Sequence, residues 1–298
     1  MFNIEDSFKK LPEAVFSKSR VVDMSKNSWF GVGGRCIVCK AYNLEDLLNI
    51  VNYCREDQIQ RYVIGALSNT LISDDGFDGI LIKLAGDFVK YKIISEELIY
   101  LGAAILDSSI TNILTENSLG GLEFLSVIPG SVGGNIAMNA GCYGFEIKDK
   151  IASFDVIDSD GNLKKINDIN MSYRCNNSIN KNDIVIGGLF KVYNSHSEDV
   201  LKLVKELSDK KNISQPLHCK TGGSTFKNPN GYKSWELIDK VGLRGFAIGD
   251  AEVSNIHPNF LINKGSASAK NIRDLIQYIQ KKVFNEYGVE LFTEIVIL

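Results

Sequence analysis

Apolar residues recur along this chain with two periods, and the switches between them lay out its elements. Behind Asn43, the residues Leu44, Leu47, Leu48 and Val51 fall at helical spacing, and the Asn side chain suits the free N–H groups of a first turn. Residues 61–65 (RYVIG) and 79–84 (GILIKL) are short apolar runs that predict strands. Ile110, Ile113 and Leu114 predict another helix, with Asp107 as its N-cap. Residues 151–166 alternate on either side of Asp160-Gly161 and predict a hairpin, and 184–192 (IVIGGLFKV) predict a further strand.

The later elements follow the same logic. A polar-faced helix carries Val200, Leu203, Val204 and Leu207 and ends near Lys210-Lys211, where cations complement the carbonyl end. Ser234 is placed to cap a short helix with Leu237, Ile238 and Val241, closed by Gly242. A long helix near 269–286 aligns Ile272, Leu275, Ile276, Ile279 and Val283, with Gly288 beyond its end, and VELFTEIVIL reads as a terminal strand. Hairpins mixed with helices predict an α+β fold, not a regular βαβ series. The charged helix followed by NISQPLHCKTGG marks the start of a C-terminal domain.

Composition narrows the function classes. With 44% apolar and 23% charged residues over 298 positions, the chain is expected to be globular. A net charge of −3 lacks the basic excess of a nucleic-acid binder. The N-terminal stretch has no apolar signal region and no run approaches membrane-spanning length, so a cytoplasmic protein with reduced thiols is expected. Cys36 and Cys39 form a C-x-x-C inside a predicted strand, where Cys acts as a small buried hydrophobe. The three histidines show no ligand spacing, and no metal is expected.

Three Gly-rich segments carry the candidate chemistry: Gly65-Ala66-Leu67-Ser68-Asn69, residues 128–144 (IPGSVGGNIAMNAGCYG), and 222–229 (GGSTFKNP). Successive N–H groups in such turns cradle anions, and glycine admits close approach of a ligand. A diphosphate-containing cofactor is one natural occupant, and surface turns are the other explanation. No P-loop, no G-x-G-x-x-G opening a helix and no G-x-S-x-G elbow is present.

Seven segments in order then resemble one family. They are SWFGVGGRC at 28–36, 63–84, 121–144, SYRCN at 172–176, GGSTFKNP at 222–229, 235–263 and 288–298. Together they resemble the UDP-N-acetylenolpyruvoylglucosamine reductase family (also called UDP-N-acetylmuramate dehydrogenase), in its shorter type II form. The resemblance implies an FAD-binding fold of the vanillyl-alcohol-oxidase/p-cresol-methylhydroxylase type. Residues 1–84 and 85–197 would form two FAD-binding subdomains. Residues 198–298 would form an α+β substrate domain, whose terminal strand returns Glu294 to the active site. It further implies that NADPH reduces FAD, and that the reduced flavin then reduces UDP-N-acetylglucosamine enolpyruvate to UDP-N-acetylmuramate. NADPH over NADH is inherited from the resemblance alone. A monomer is the expectation, though the sequence does not itself give the oligomeric state; no coiled-coil pattern is present.

Residue roles follow from the matched motifs. Gly65, Ser68, Asn69, Gly130, Ser131, Gly133, Gly134, Asn139, Ala140 and Gly141 would hold FAD, while Tyr173, Lys227 and Asn228 would contact the substrate. Hydride addition at C3 of the enol ether leaves negative charge at C2 and its carboxylate. Arg174 would pair with that carboxylate, Glu294 in protonated form would donate to the enolate, and Ser224 would deliver the proton to C2.

The sequence departs from the family pattern at several points. Leu67 replaces a glycine and Thr70 a leucine in the first flavin segment; a positive φ at Leu67 would cost roughly 1–3 kcal/mol. Asn176 stands where the family has a hydroxyl. Asp250 and Glu252 add carboxylates on the expected substrate side, and Leu298 ends the chain without the glycine that often follows. A weakly active flavin- or UDP-sugar-binding protein and an FAD oxidase of the same fold are therefore the alternatives.

Overall fold

The computed structural model describes residues 4–298, and its contacts divide the chain into two compact units. The first comprises residues up to Val21, Ile37–Ala66 and Asp78–Lys210; the second comprises Val22–Cys36, Leu67–Phe77 and Lys211–Leu298. The chain crosses from one to the other within strands Ser19–Asp23 and Arg35–Ala41.

The first unit contains two sheets. In the smaller, the order is Ser19–Asp23, Arg35–Ala41, Ile80–Leu84, Arg61–Ile64. Ile80–Leu84 runs parallel to both neighbours, with Ile37 and Arg61 each opposite Ile80. Parallel neighbours require crossovers, and helix Leu44–Glu56 supplies one. It starts as expected, with the Asn43 side chain accepting from the Asp46 N–H at 2.9 Å, and buries Leu47, Ile50, Val51 and Cys54. The larger sheet has the order Leu163–Ile166, Ile151–Ile157, Ile184–Lys191, Leu98–Gly102, Tyr91–Ser95, and all its pairings are antiparallel. It contains the expected hairpin. The two sheets contribute to a single apolar core, which includes Ile37, Ile82, Leu101, Phe154 and Phe190.

The second unit has an antiparallel sheet in the order Lys220–Ser224, Phe260–Asn263, Ala251–Val253, Ala247–Ile248. Helix Ala269–Tyr287 packs on it through Ile272, Leu275, Ile276, Ile279 and Val283, all buried, in a core shared with Phe30, Leu71 and Phe226. Gly288 closes this helix at φ 65°, the left-handed conformation glycine adopts freely. Its start is doubly held: Ser268 accepts from Asn271, and the Asp74 carboxylate accepts from the N–H groups of Ala269 and Lys270 at 2.7 and 2.9 Å.

Four local expectations fail. Asp107 is not an N-cap: it opens a 3-10 turn ahead of helix Ile110–Glu116, with its side chain buried. Ser234 is the first residue of helix Ser234–Lys240, and its hydroxyl donates to the Lys227 carbonyl at 2.5 Å. The helix expected to stop near Lys211 continues to Ser214. The terminal strand is reduced to Val296–Ile297, parallel to Thr70–Leu71. Among the described residues no helix is long and apolar enough to cross a membrane. Cys36 and Cys39 lie buried in the expected strand, where burial pushes their thiols up, that of Cys36 to about 11.

Candidate active site

In the first unit the Gly130–Gly141 segment is bound edge-on to residues 103–107. Asp107 donates its N–H to Gly130 O (3.2 Å), Val132 to Ile105 O (3.0 Å) and Gly133 to Ala103 O (2.9 Å). A Cβ at Gly133 would lie 2.8 Å from the Ala103 Cβ, so this approach requires glycine. Helix Val132–Met138 follows and ends at Asn139 in left-handed conformation (φ 48°).

Gly65 meets the same turn. A Cβ at Gly65 would fall 2.7 Å from Ser131 Oγ, and one at Gly130 would fall 2.6 Å from Asp107 Oδ2. The Lys83 ammonium donates to the Gly65 carbonyl, and burial lowers its pKa, with Lys40 adding to the effect. Two Gly-rich backbones, a buried Ser131 hydroxyl and a lysine thus converge with no bulky side chain between them. Glycine at 65 and 130 leaves room for a ligand to approach closely, and the Ser131 hydroxyl and Lys83 ammonium beside it are donors of the kind a phosphate group accepts from.

The hairpin carrying Arg174 is tied to this segment. Strands Met171–Ser172 and Cys175–Asn176 pair around Tyr173 and Arg174, and Arg174 takes φ 52°, a strained state that persists only where neighbours enforce it. Three hydrogen bonds do so: Arg174 Nη2 to Gly141 O (2.7 Å), Asn139 Nδ2 to Ser172 O (2.9 Å) and Asn176 Nδ2 to Ile136 O (3.0 Å). The guanidinium also lies 5.2 Å from the Tyr173 ring centroid, a cation–π distance. Asn139, Gly141, Tyr173 and Arg174 are therefore brought together. The departure at Asn176 has a purpose here, because the longer amide reaches a buried carbonyl.

In the second unit Ser224 ends strand Lys220–Ser224 opposite Phe260, after an irregularity that includes Gly223 at φ 79°. Beyond it, residues 225–227 pair with 292–294. Glu294 donates its N–H to Thr225 O (2.8 Å), Lys227 donates to Phe292 O (2.9 Å), and Phe226 bridges Thr293. Ser224 and Glu294 are thus set on adjoining backbone segments, both half-buried. Asn69 joins them: its Nδ2 donates to Glu294 O (3.1 Å), and its carbonyl accepts from Val296 (2.9 Å). Leu67, just before, adopts φ 57° with its side chain buried, and Ser68 is half-buried.

The remaining candidates serve partly structural ends. Asn228 Oδ1 accepts from the Ser234 N–H at 3.0 Å and so fastens helix Ser234–Lys240. Ala140 donates to Asn135 O (2.9 Å), and Gly134 is exposed. The added carboxylates are both occupied locally: Asp250 accepts from the Ser266 N–H (2.9 Å), and Glu252 pairs with Lys264 (3.4 Å).

Sequence reasoning missed Asp107 as a site-adjacent group. Its carboxyl is 0% exposed, accepts one bond from Asn135 Nδ2 (2.7 Å), and leaves Oδ2 unpaired. Burial raises its pKa to about 8, opposed in part by the Asn135 bond. An Asp ahead of an apolar helix looks the same in sequence whether it caps or is buried, so no signal distinguished the two.

Residues 37–167 match the model of an FAD binding domain, and residues 215–298 match that of the UDP-N-acetylenolpyruvoylglucosamine reductase C-terminal domain. A UDP-N-acetylenolpyruvoylglucosamine reductase of Rickettsia bellii is 41% identical over 271 residues, covering 90% of this chain and 89% of its own. One from Rickettsia massiliae is 42% identical, covering 90% and 91%. The solved structure of the Thermus caldophilus enzyme superposes with a TM-score of 0.80 at 30% identity, covering 94% of this chain and 99% of that one.

Proposed function

The chain belongs to the UDP-N-acetylenolpyruvoylglucosamine reductase family, and on that premise we propose how its own residues divide the work. It is an FAD-dependent oxidoreductase that uses NADPH to reduce UDP-N-acetylglucosamine enolpyruvate to UDP-N-acetylmuramate, a peptidoglycan precursor. When bound, FAD supplies the hydride-carrying chemistry between the two substrates.

The flavin is assigned to the segments that converge in the first unit, Gly65 and Gly130–Gly134, with Asn139, Ala140 and Gly141 beyond them and Ser68 and Asn69 following Gly65 in the chain. Arg174 binds the substrate carboxylate. A guanidinium is suited to this because its planar fork matches a carboxylate, and its enforced backbone fixes its direction before substrate arrives. Tyr173 shares that hairpin and is assigned with it to the substrate, as are Lys227 and Asn228. Glu294, uncharged when it acts, donates a hydrogen bond to the enolate oxygen. Ser224 gives its proton to C2. A serine is a weak acid, so the transfer depends on neighbours that stabilise the alkoxide left behind.

The observation that supports this reading is the pairing of 225–227 with 292–294, which brings the Glu294 backbone against Thr225, the residue after Ser224, from segments distant in sequence. Ser224→Ala tests it. Flavin reduction by NADPH should be spared, and reduction of the UDP-sugar should slow by about 10²-fold or more. Equal loss in both halves would contradict the proton-donor role. The same reading expects a monomer, which sedimentation of the purified protein checks, and a cytoplasmic location, which cell fractionation checks.

A further inference from the structure

The group left unexplained by this division of labour is Asp107. It lies directly beneath the turn assigned to the FAD diphosphate, wholly buried, with one carboxyl oxygen held by Asn135 and the other unpaired. That unpaired oxygen is aimed at Gly130, where an ideal Cβ would approach it to 2.6 Å, and the Asp107 N–H holds the Gly130 carbonyl from below. A structural carboxylate would be expected to find a cation or a second donor. This one has neither in the elements packed around it. Helix Ile110–Glu116 offers only the exposed Glu116, the turn Glu123–Val127 offers Glu123, and helix Val132–Met138 has no ionisable residue. Glu123 is itself occupied, accepting from the Gly121 N–H at 2.9 and 3.0 Å.

We propose that Asp107 is a positioning residue for the flavin: as an uncharged carboxyl beneath Gly130 it holds the turn in the form that accepts the FAD diphosphate, so that FAD binding is coupled to the proton it carries. The inference rests on the assignment of that turn to FAD. Its physical basis is direct. A buried neutral acid costs less than a buried ionised one, which also places negative charge beneath a site for two phosphate charges. Burial keeps the acid form dominant near neutrality, with half-ionisation at about pH 8. Diphosphate bound above it favours the acid form further, and linkage then requires FAD affinity to fall as pH rises through that midpoint. At a pH one unit above it, the loss is about tenfold if the ionised form does not bind.

The experiment titrates FAD into the wild-type apoprotein across roughly pH 6.5 to 9.5, read by flavin fluorescence, with riboflavin as the probe lacking the diphosphate. FAD should weaken about tenfold by about pH 9, while riboflavin should not follow. Calorimetry in buffers of different ionisation enthalpy should show uptake of a fraction of a proton per FAD, largest near and above pH 8. Asp107→Asn, which keeps the shape and cannot ionise, should bind FAD tightly with a flat profile. A flat FAD profile in the wild type, no proton uptake, an equal slope for riboflavin, or an unchanged slope in Asp107→Asn would each overturn the proposal. If Asp107→Asn does not fold, the same titration in Lys83→Met decides, because Lys83 is the other group at this turn whose titration would weaken FAD as pH rises: a slope kept in that variant upholds the proposal and a flat profile overturns it. Absence of FAD binding at every pH would instead count against the assignment of the turn.

Discussion

Leu67→Gly sets two effects of opposite sign against each other. The wild-type residue holds φ 57° and is only 7% exposed. Left-handed backbone costs an L-residue about 1–2 kcal/mol, which glycine recovers. Against that, the variant gives up the burial of a leucine side chain, about 1.5–3 kcal/mol, and glycine orders a freer unfolded chain, about 0.5–1 kcal/mol. Burial outweighs strain, and the variant should be less stable by about 1.5 kcal/mol at the midpoint of these ranges. The backbone conformation that presents Ser68 and Asn69 is the one glycine favours, so FAD affinity should hold or tighten. Urea unfolding of the apoprotein reads the first quantity, and fluorescence titration with FAD reads the second. A gain in stability of more than about 1 kcal/mol would show that strain, not burial, decides this position. Release of FAD would show that the Leu67 side chain makes a contact with the flavin.

Three further outcomes follow from the geometry. Arg174→Ala should slow sugar reduction by about 10²–10³-fold while sparing flavin reduction by NADPH, and Arg174→Lys should restore little because an ammonium lacks the planar fork; wild-type turnover in either would remove Arg174 from the reaction. Asn176→Ser should cost about 1–2 kcal/mol in urea unfolding, because the shorter side chain leaves the Ile136 carbonyl without its donor; an unchanged midpoint would refute that role. Asp74→Ala removes the acceptor for two N–H groups at the start of helix Ala269–Tyr287 and should cost about 1–2 kcal/mol, with no loss meaning that Ser268 caps the helix alone.

Much of the fold was legible because its helices are amphipathic and locally capped. Asn43 and the stripe through Val51, and Ile272 through Val283 before Gly288, report their structure within a few residues of themselves. The parallel order that puts Ile80–Leu84 between Arg35–Ala41 and Arg61–Ile64 is a non-local choice that no window of sequence contains. The terminal segment shows the same limit. Its alternation predicts one long strand, but the segment changes partner along its length, 292–294 lying against 225–227 and Val296–Ile297 against Thr70–Leu71, so no single continuous strand forms. Asp107 and Ser234 were misread for a common reason: a small polar residue before an apolar run suits a cap, and burial of its side chain is decided by distant packing. The candidate site was legible through motif order, not residue chemistry. Arg174, Ser224 and Glu294 are each unremarkable alone, and the bonds that tie the Arg174 guanidinium to the Gly141 carbonyl and the Glu294 N–H to the Thr225 carbonyl are invisible in sequence.

The most direct test of the central claim is the visible spectrum of the purified protein under anaerobic conditions, through two additions. NADPH should bleach the flavin bands, and UDP-N-acetylglucosamine enolpyruvate should then restore them with formation of UDP-N-acetylmuramate. A reduced flavin that the UDP-sugar leaves bleached, but that oxygen rapidly reoxidises, would contradict the assignment and point to an oxidase. A protein that cannot be loaded with FAD would contradict it at the first step.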